Sequence, residues 1–122
     1  MLAVRRPPDD DDLPDAWGLP AGSLREGESE RDALLRVGRE KLGVEVEPVR
    51  QVGKAQDDRP GYRIAMSDWA ARVVAGEPAV PQGGEGTQYV DWRWGDPEEL
   101  MPAARAGSVC ARVLLRALGS SW

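Results

Sequence analysis

Between Gly27 and Gly43 lies a segment punctuated as a helix at both ends. Ser29 is a good N-cap, and Asp32 three residues on gives an S-x-x-D capping arrangement. Glu30 and Asp32 put negative charge in the first turn, where the helix dipole favours it. Gly43 supplies the natural C-terminal stop. The pattern predicts a helix over Ser29–Leu42, with Ala33, Leu34, Leu35 and Leu42 as its aliphatic contacts. Gly38 inside that helix costs about 0.5–1 kcal/mol relative to alanine. Its presence there signals either a close approach by another segment or a position that is simply not optimised.

The rest of the chain supplies strands and one more helix. Residues 1–6 alternate weakly, and Val44 to Val52 sets Val44 and Val46 against Glu45 and Glu47, the signal of a half-buried strand. Tyr62, Ile64 and Met66 alternate likewise. Trp69, Ala71 and Val73 continue in the opposite phase, which predicts a bulge or sharp twist near Ser67-Asp68. Tyr89 to Trp94 makes another strand, and Asp96 caps a short helix with Pro97 at its first position. Ser108 can cap a final helix, Ser108–Leu118, in which Cys110, Val113, Leu114, Ala117 and Leu118 form one apolar stripe. Gly76 to Gly86 is a Pro/Gly-rich loop, and Pro7 to Asp12 a solvated acidic one. Strands mixed with two substantial helices give an α/β sandwich with the sheet between the helices. At 122 residues this is expected to be a single domain, 1–122.

Composition narrows the chemistry. The chain has no histidine, which excludes a histidine triad, a His-ligated zinc site and a histidine general base. One cysteine, Cys110, has no internal disulfide partner, so a reducing cytoplasm is expected and the thiol is read as a buried apolar contact. A net charge of −5 with no basic stripe argues against a nucleic-acid surface. No apolar run approaches the ~18 residues that span a bilayer, so no membrane partner is expected. The aspartates at positions 9–12 and 15 lack alternating ligand spacing and read as a run repelled into water rather than a cation site.

Residues 17–44, WGLPAGSLREGESERDALLRVGREKLGV, resemble the signature of the Nudix hydrolase family, G-x5-E-x7-R-E-U-x-E-E-x-G-U, where U is a bulky aliphatic residue. Gly22, Glu28, Arg36, Glu40, Gly43 and Val44 fall on the pattern without insertion or deletion, so the box spans 22–44. Val37 stands where a glutamate is expected, Gly38 replaces the aliphatic residue, and Lys41 replaces the last glutamate. The flanks agree: Leu2-Ala3-Val4-Arg5-Arg6-Pro7, Trp17 to Gly22, and Trp92-Arg93-Trp94 with Asp96 to Leu100 resemble family strands and turns.

The resemblance implies a Nudix α/β/α sandwich with a central mixed sheet, and a hydrolase that cleaves nucleoside diphosphates linked to another moiety with Mg²⁺ or Mn²⁺. Positions 37, 40 and 41 share one helix face. Three glutamates there would carry about −3, whereas Val37, Glu40 and Lys41 cancel to zero. At an effective dielectric near 20, each unit charge ~4 Å from a cation matters by roughly 4 kcal/mol. Metal-dependent activity is therefore expected to be weak or lost, and the alternative is a non-catalytic module that binds a nucleotide or a protein. Glu40 is either a residual cation ligand and catalytic candidate, or a helix glutamate paired with Arg36 or Lys41. Glu85, in the loop before the last strand, is a candidate late ligand or base, or a plain loop glutamate. Lys41 and Arg36 are candidates for binding substrate, Lys41 as a point charge on phosphate or a solvated lysine. By the resemblance, Gly22, Glu28, Arg36 and Gly43 are structural, with Glu28 and Arg36 forming an ion pair. Trp17, Trp69, Trp92 and Trp94 include candidates for stacking on a base, or are core. The resemblance also places Met1 where the family already has its second strand. A strand edge left open in this way favours pairing with another chain, so a homodimer is expected.

Overall fold

In the computed structural model, which describes residues 1–83 and 88–119, the predicted box helix is α1, Glu30–Leu42. Ser29 Oγ accepts from the Asp32 N–H at 3.0 Å, and Gly43 closes the helix at φ +66° with its N–H on the Arg39 and Gly38 carbonyls. Strand β1 (Leu2–Arg5) pairs antiparallel with β2 (Trp17–Gly18) on one side and β5 (Asp91–Trp94) on the other. Strands β3 (Glu45–Arg59) and β4 (Tyr62–Ala75) form a separate antiparallel ribbon, turned at Gly61 with φ +83°. After β5 come a 3-10 turn (Pro97–Leu100), a short α2 (Met101–Arg105) and α3 (Val109–Ala117), which Ser108 caps. Asp96 and Glu99 make a reciprocal capping box at the 3-10 turn, as the Asp-Pro start predicts.

Alternating side chains put the helices on opposite faces of the strand layer, because neighbours in a strand point opposite ways. Trp69 of β4 reaches the start of α1, its Nε1–H donating to Glu30 at 2.8 Å. Its neighbour Asp68 is buried on the other face, where the opposing Gly53 lies against Val113 of α3. One apolar cluster joins Val4, Leu42, Val44 and Tyr89; the second joins Leu100, Ala103, Ala104, Ala111 and Leu115. The α/β sandwich is thus the architecture of the chain, and both of its ladders are antiparallel.

Local departures from the sequence expectation have identifiable causes. The phase change at Ser67-Asp68 is not a bulge in β4. The extra residue is Val52 in β3, where the register steps from Gln51↔Trp69 to Gly53↔Asp68. Tyr89 and Val90 precede the last strand, which begins at Asp91. The acidic loop is also less free than a solvated run: Asp10 Oδ2 accepts from Leu13 N at 2.8 Å and from Arg6 Nη1 at 3.2 Å. Burial works against the Asp10 carboxylate, but the Leu13 bond and the Arg6 charge hold it below its ordinary pKa. At the far end of the ribbon, Arg59 Nη2 donates to the Gly107 carbonyl at 2.9 Å and ties the tip to the turn between α2 and α3. Among the described residues, no helix is long and apolar enough to cross a membrane.

Candidate functional site

The box residues meet where the loop from Leu19 to Glu28 folds over α1. Glu28 and Arg36 form a two-pronged ion pair, Nε to Oε2 and Nη2 to Oε1, each at 2.9 Å. The guanidinium also donates to the Ser23 carbonyl at 2.6 Å, so one side chain fixes loop to helix. Its hydrogen bond, followed by that from the Arg25 N–H, holds the Glu28 carboxyl down to about 2. Gly22 sits directly on the helix: a Cβ there would lie 2.7 Å from Val37 Cγ2. Gly38 is just as crowded from behind, where a Cβ would meet Val46 Cγ1 at 3.1 Å and the Val44 carbonyl at 3.2 Å. The mid-helix glycine therefore marks a close approach by β3.

Glu40 lies on the exposed side of this joint, and two guanidinium groups share its carboxylate. Arg36 Nη1 is 3.3 Å from Oε2, and Arg25 Nη2 is 3.4 Å from Oε1 and 3.5 Å from Oε2. Val37 is buried, and Lys41 is only 7% exposed. The Lys41 ammonium lies 6.0 Å from the centre of the Tyr89 ring, at the outer range of a cation–π contact. Tyr89 in turn reaches the loop: its Oη accepts from the Ala21 N–H at 3.0 Å and faces the Ala21 carbonyl at 3.4 Å. Burial pushes the Tyr89 phenol above its usual pKa, so it stays protonated and able to donate.

Mg²⁺ and Mn²⁺ want several oxygen donors with negative charge to spare. A buried valine, a buried ammonium and one carboxylate held by two arginines do not provide that set. Among the described residues there is no group of three or more His, Cys, Asp or Glu side chains placed to hold a metal. Glu85 lies outside the described residues.

The structure brings Gly22, Glu28, Arg36, Glu40 and Lys41 together and leaves Gly43 at the helix end. Two residues of the site have no sequence signal of their own. Tyr89 lies 68 positions from the Ala21 backbone it binds, and Arg25 reads as one arginine in a charged loop. The tryptophans divide: Trp17 is covered by the Arg93 guanidinium at 4.0 Å, Trp69 bonds Glu30, and Trp92 packs on the first core cluster. Trp94 is 60% exposed.

Known proteins resemble this chain in sequence and in fold. The chain is 32% identical over 103 residues to an RNA pyrophosphohydrolase of Cereibacter sphaeroides, covering 72% of this chain and 64% of that protein. It thus spans less than two thirds of that relative's length. The E. coli ORF135 protein superimposes with a TM-score of 0.64 at 28% identity, over 99% of this chain and 84% of that one. A MutT protein from Methanosarcina mazei Go1 shares the fold with a TM-score of 0.69 at 16% identity, over 95% of this chain and 80% of that one. The NUDIX domain pattern itself matches residues 1–117, and on that match, over this fold and this box, the chain belongs to the Nudix family.

Proposed function

We propose that this chain binds nucleoside diphosphates linked to another moiety at its box and hydrolyses them weakly or not at all with a divalent metal. The observation that carries this is the state of Glu40. It is the one carboxylate among positions 37, 40 and 41, and Arg36 and Arg25 share it. The buried Lys41 supports it further, since an ammonium one turn of helix from Val37 repels a cation and favours an anion. A second reading, a nucleotide-binding module without catalysis, rests on the same two replacements. Glu85 is the remaining candidate for a late base. Kinship with RNA pyrophosphohydrolases puts a 5′-triphosphorylated RNA in the panel of substrates to be tried, beside ADP-ribose and nucleoside triphosphates.

The test is isothermal titration of Mg²⁺ and Mn²⁺ with and without that panel, together with a hydrolysis assay. The unmodified protein is expected to bind Mg²⁺ weakly or not at all. Val37→Glu with Lys41→Glu should create a carboxylate cluster and measurable Mg²⁺ affinity, while Val37→Glu alone gains less because Lys41 still opposes the cation. Micromolar Mg²⁺ binding with brisk hydrolysis by the unmodified protein would overturn the proposal. If the double substitution gains no metal binding, the helix face has been assigned in the wrong register.

A further inference from the structure

The seam between the ribbon and α3 closes over a carboxyl group that has no partner among the described residues. Asp68 is 8% exposed, and its Oδ2 is buried without a hydrogen bond. Opposite it on β3 stands Gly53, where a Cβ would lie 3.0 Å from Val113 Cγ1, so the helix rests directly on the strand. From α3 come Ser108 and Cys110, both buried and in contact with each other at 3.4 Å. We infer that this seam is a proton-operated latch, shut while Asp68 carries a proton and opening locally to uncover Cys110 once Asp68 is charged.

The charged groups on the surrounding elements do not neutralise it. Arg6, after β1, is held by Asp10 at 3.2 Å, and Arg112 of α3 turns its Nε–H to the Ala104 carbonyl at 2.8 Å. Arg116 of α3 lines a shallow cleft over Gly53 and Lys54. Asp57 and Arg59 pair with each other at 2.9 Å further along β3, and Arg72 is exposed further along β4. Burial is the one cause that raises the Asp68 pKa to about 7, so none of these cations offsets it. A carboxylate desolvated without a counter-charge is either protonated or driven toward water.

The first turn of α3 is where the seam can yield. Ser108 Oγ accepts from the Ala111 N–H at 3.4 Å, against 3.0 Å for the Ser29 cap of α1. Away from the ribbon the helix is firm, because Ala111 and Leu115 pack with Leu100, Ala103 and Ala104. Arg59 also keeps the ribbon tip on Gly107 at 2.9 Å. The seam can therefore part at Asp68 and Cys110 while the rest of the fold holds. Below the ordinary aspartate range the carboxyl is neutral in both the shut and the open form, and opening is rarest. From there to about pH 7 the open form ionises while the shut form resists, so opening rises about tenfold per pH unit and then levels off.

Cys110 is the only cysteine, so its reactivity reports the opening. The full chain is mixed with dithiodipyridine, a neutral disulfide, from about pH 5 to 8. Each rate is divided by that of the same chain unfolded in urea at the same pH, which removes the ionisation of the thiol itself. The ratio should rise about fiftyfold between pH 5 and 7 and only about twofold more by pH 8. In Asp68→Asn and Asp68→Ser, neither of which titrates at this position, it should stay level, with near-ultraviolet circular dichroism of the tryptophans showing that each variant is folded. Gly38→Ala, a change in α1 on the opposite face of the strand layer, should leave the ratio as in the unmodified chain. A level ratio in the unmodified chain, or a pH dependence that survives in a folded Asp68 variant, overturns the inference. So does a ratio that Gly38→Ala raises by as much as it weakens the whole fold, because Cys110 is then reached by global unfolding.

Discussion

Asp68 is the residue whose chemistry is least at ease in this fold. Its side chain is buried between the ribbon and α3, and its Oδ2 has no hydrogen-bond partner. Burial alone raises its pKa from 3.8 to about 7. The same side of the ribbon holds Cys110, which hydrogen-bonds to Ser108 across 3.4 Å, and whose thiol is pushed up by burial and then by the Asp68 charge. Below pH ~4 the Asp68 carboxyl is neutral in both folded and unfolded chains and costs nothing electrostatic. Between about 4 and 7 the unfolded chain ionises while the folded chain resists, so stability falls as pH rises and levels off above 7. Asp68→Asn removes that dependence. It should be more stable than the parent at pH 8 by on the order of 2–4 kcal/mol, and by much less at pH 5. Thermal melts of both proteins at the two pH values check this, and an equal difference at each would show that ionisation of Asp68 does not matter. Glu28 works in the opposite sense. Its carboxyl is held near 2 by Arg36, so its contribution is present above the ordinary glutamate range and is lost as acid approaches 2.

At the scale of elements, α1 is clamped between two close approaches, Gly22 of the loop onto Val37 and Val46 of β3 onto Gly38. Alanine ordinarily stabilises a helix interior relative to glycine by about 0.5–1 kcal/mol. At position 38 the sign should reverse, because the new Cβ meets the Val44 backbone carbonyl at 3.2 Å and cannot push it aside as it would a flexible side chain. Gly38→Ala is expected to destabilise by about 1–2 kcal/mol in urea unfolding, and a gain in stability would refute the clamp. This element was largely legible in the sequence, because its caps are local: Ser29, Asp32 and Gly43 act within a few residues of the backbone they satisfy. The ribbon was legible only in pieces. Its alternation is interrupted at Val49 and Val52 of β3, so the phase change visible at Ser67-Asp68 has its cause in the partner strand, out of reach of the local sequence. The Glu28, Arg36, Glu40 and Lys41 constellation follows from spacing along one helix and its loop. Tyr89 and the reach of Arg25 over Glu40 depend on tertiary placement, which no periodicity encodes.

For the whole molecule, the open question is what meets the bare strand edges. Among the described residues β3 and β4 pair only with each other, and β2 and β5 each pair only with β1, so each ladder ends in strands with an unpaired side. Val49 and Val74 are about half exposed on the ribbon, at 49% and 56%. Such edges invite a second copy. Light scattering at tens of micromolar is expected to give the mass of a dimer, and Val74→Asp to shift it toward the monomer; a monomeric parent would count decisively against pairing. The tie between Arg59 and Gly107 bears on how the molecule is made. These partners are 48 residues apart, and the ribbon that carries Arg59 is complete long before the turn that receives it is translated. The ribbon ends at Ala75, so at about 5–20 residues per second the finished ribbon leaves the ribosome roughly 2–6 seconds ahead of its clasp. Through that interval the face that α3 will cover, Asp68 included, is open to water, and the carboxylate that is costly in the finished fold helps keep the nascent ribbon soluble.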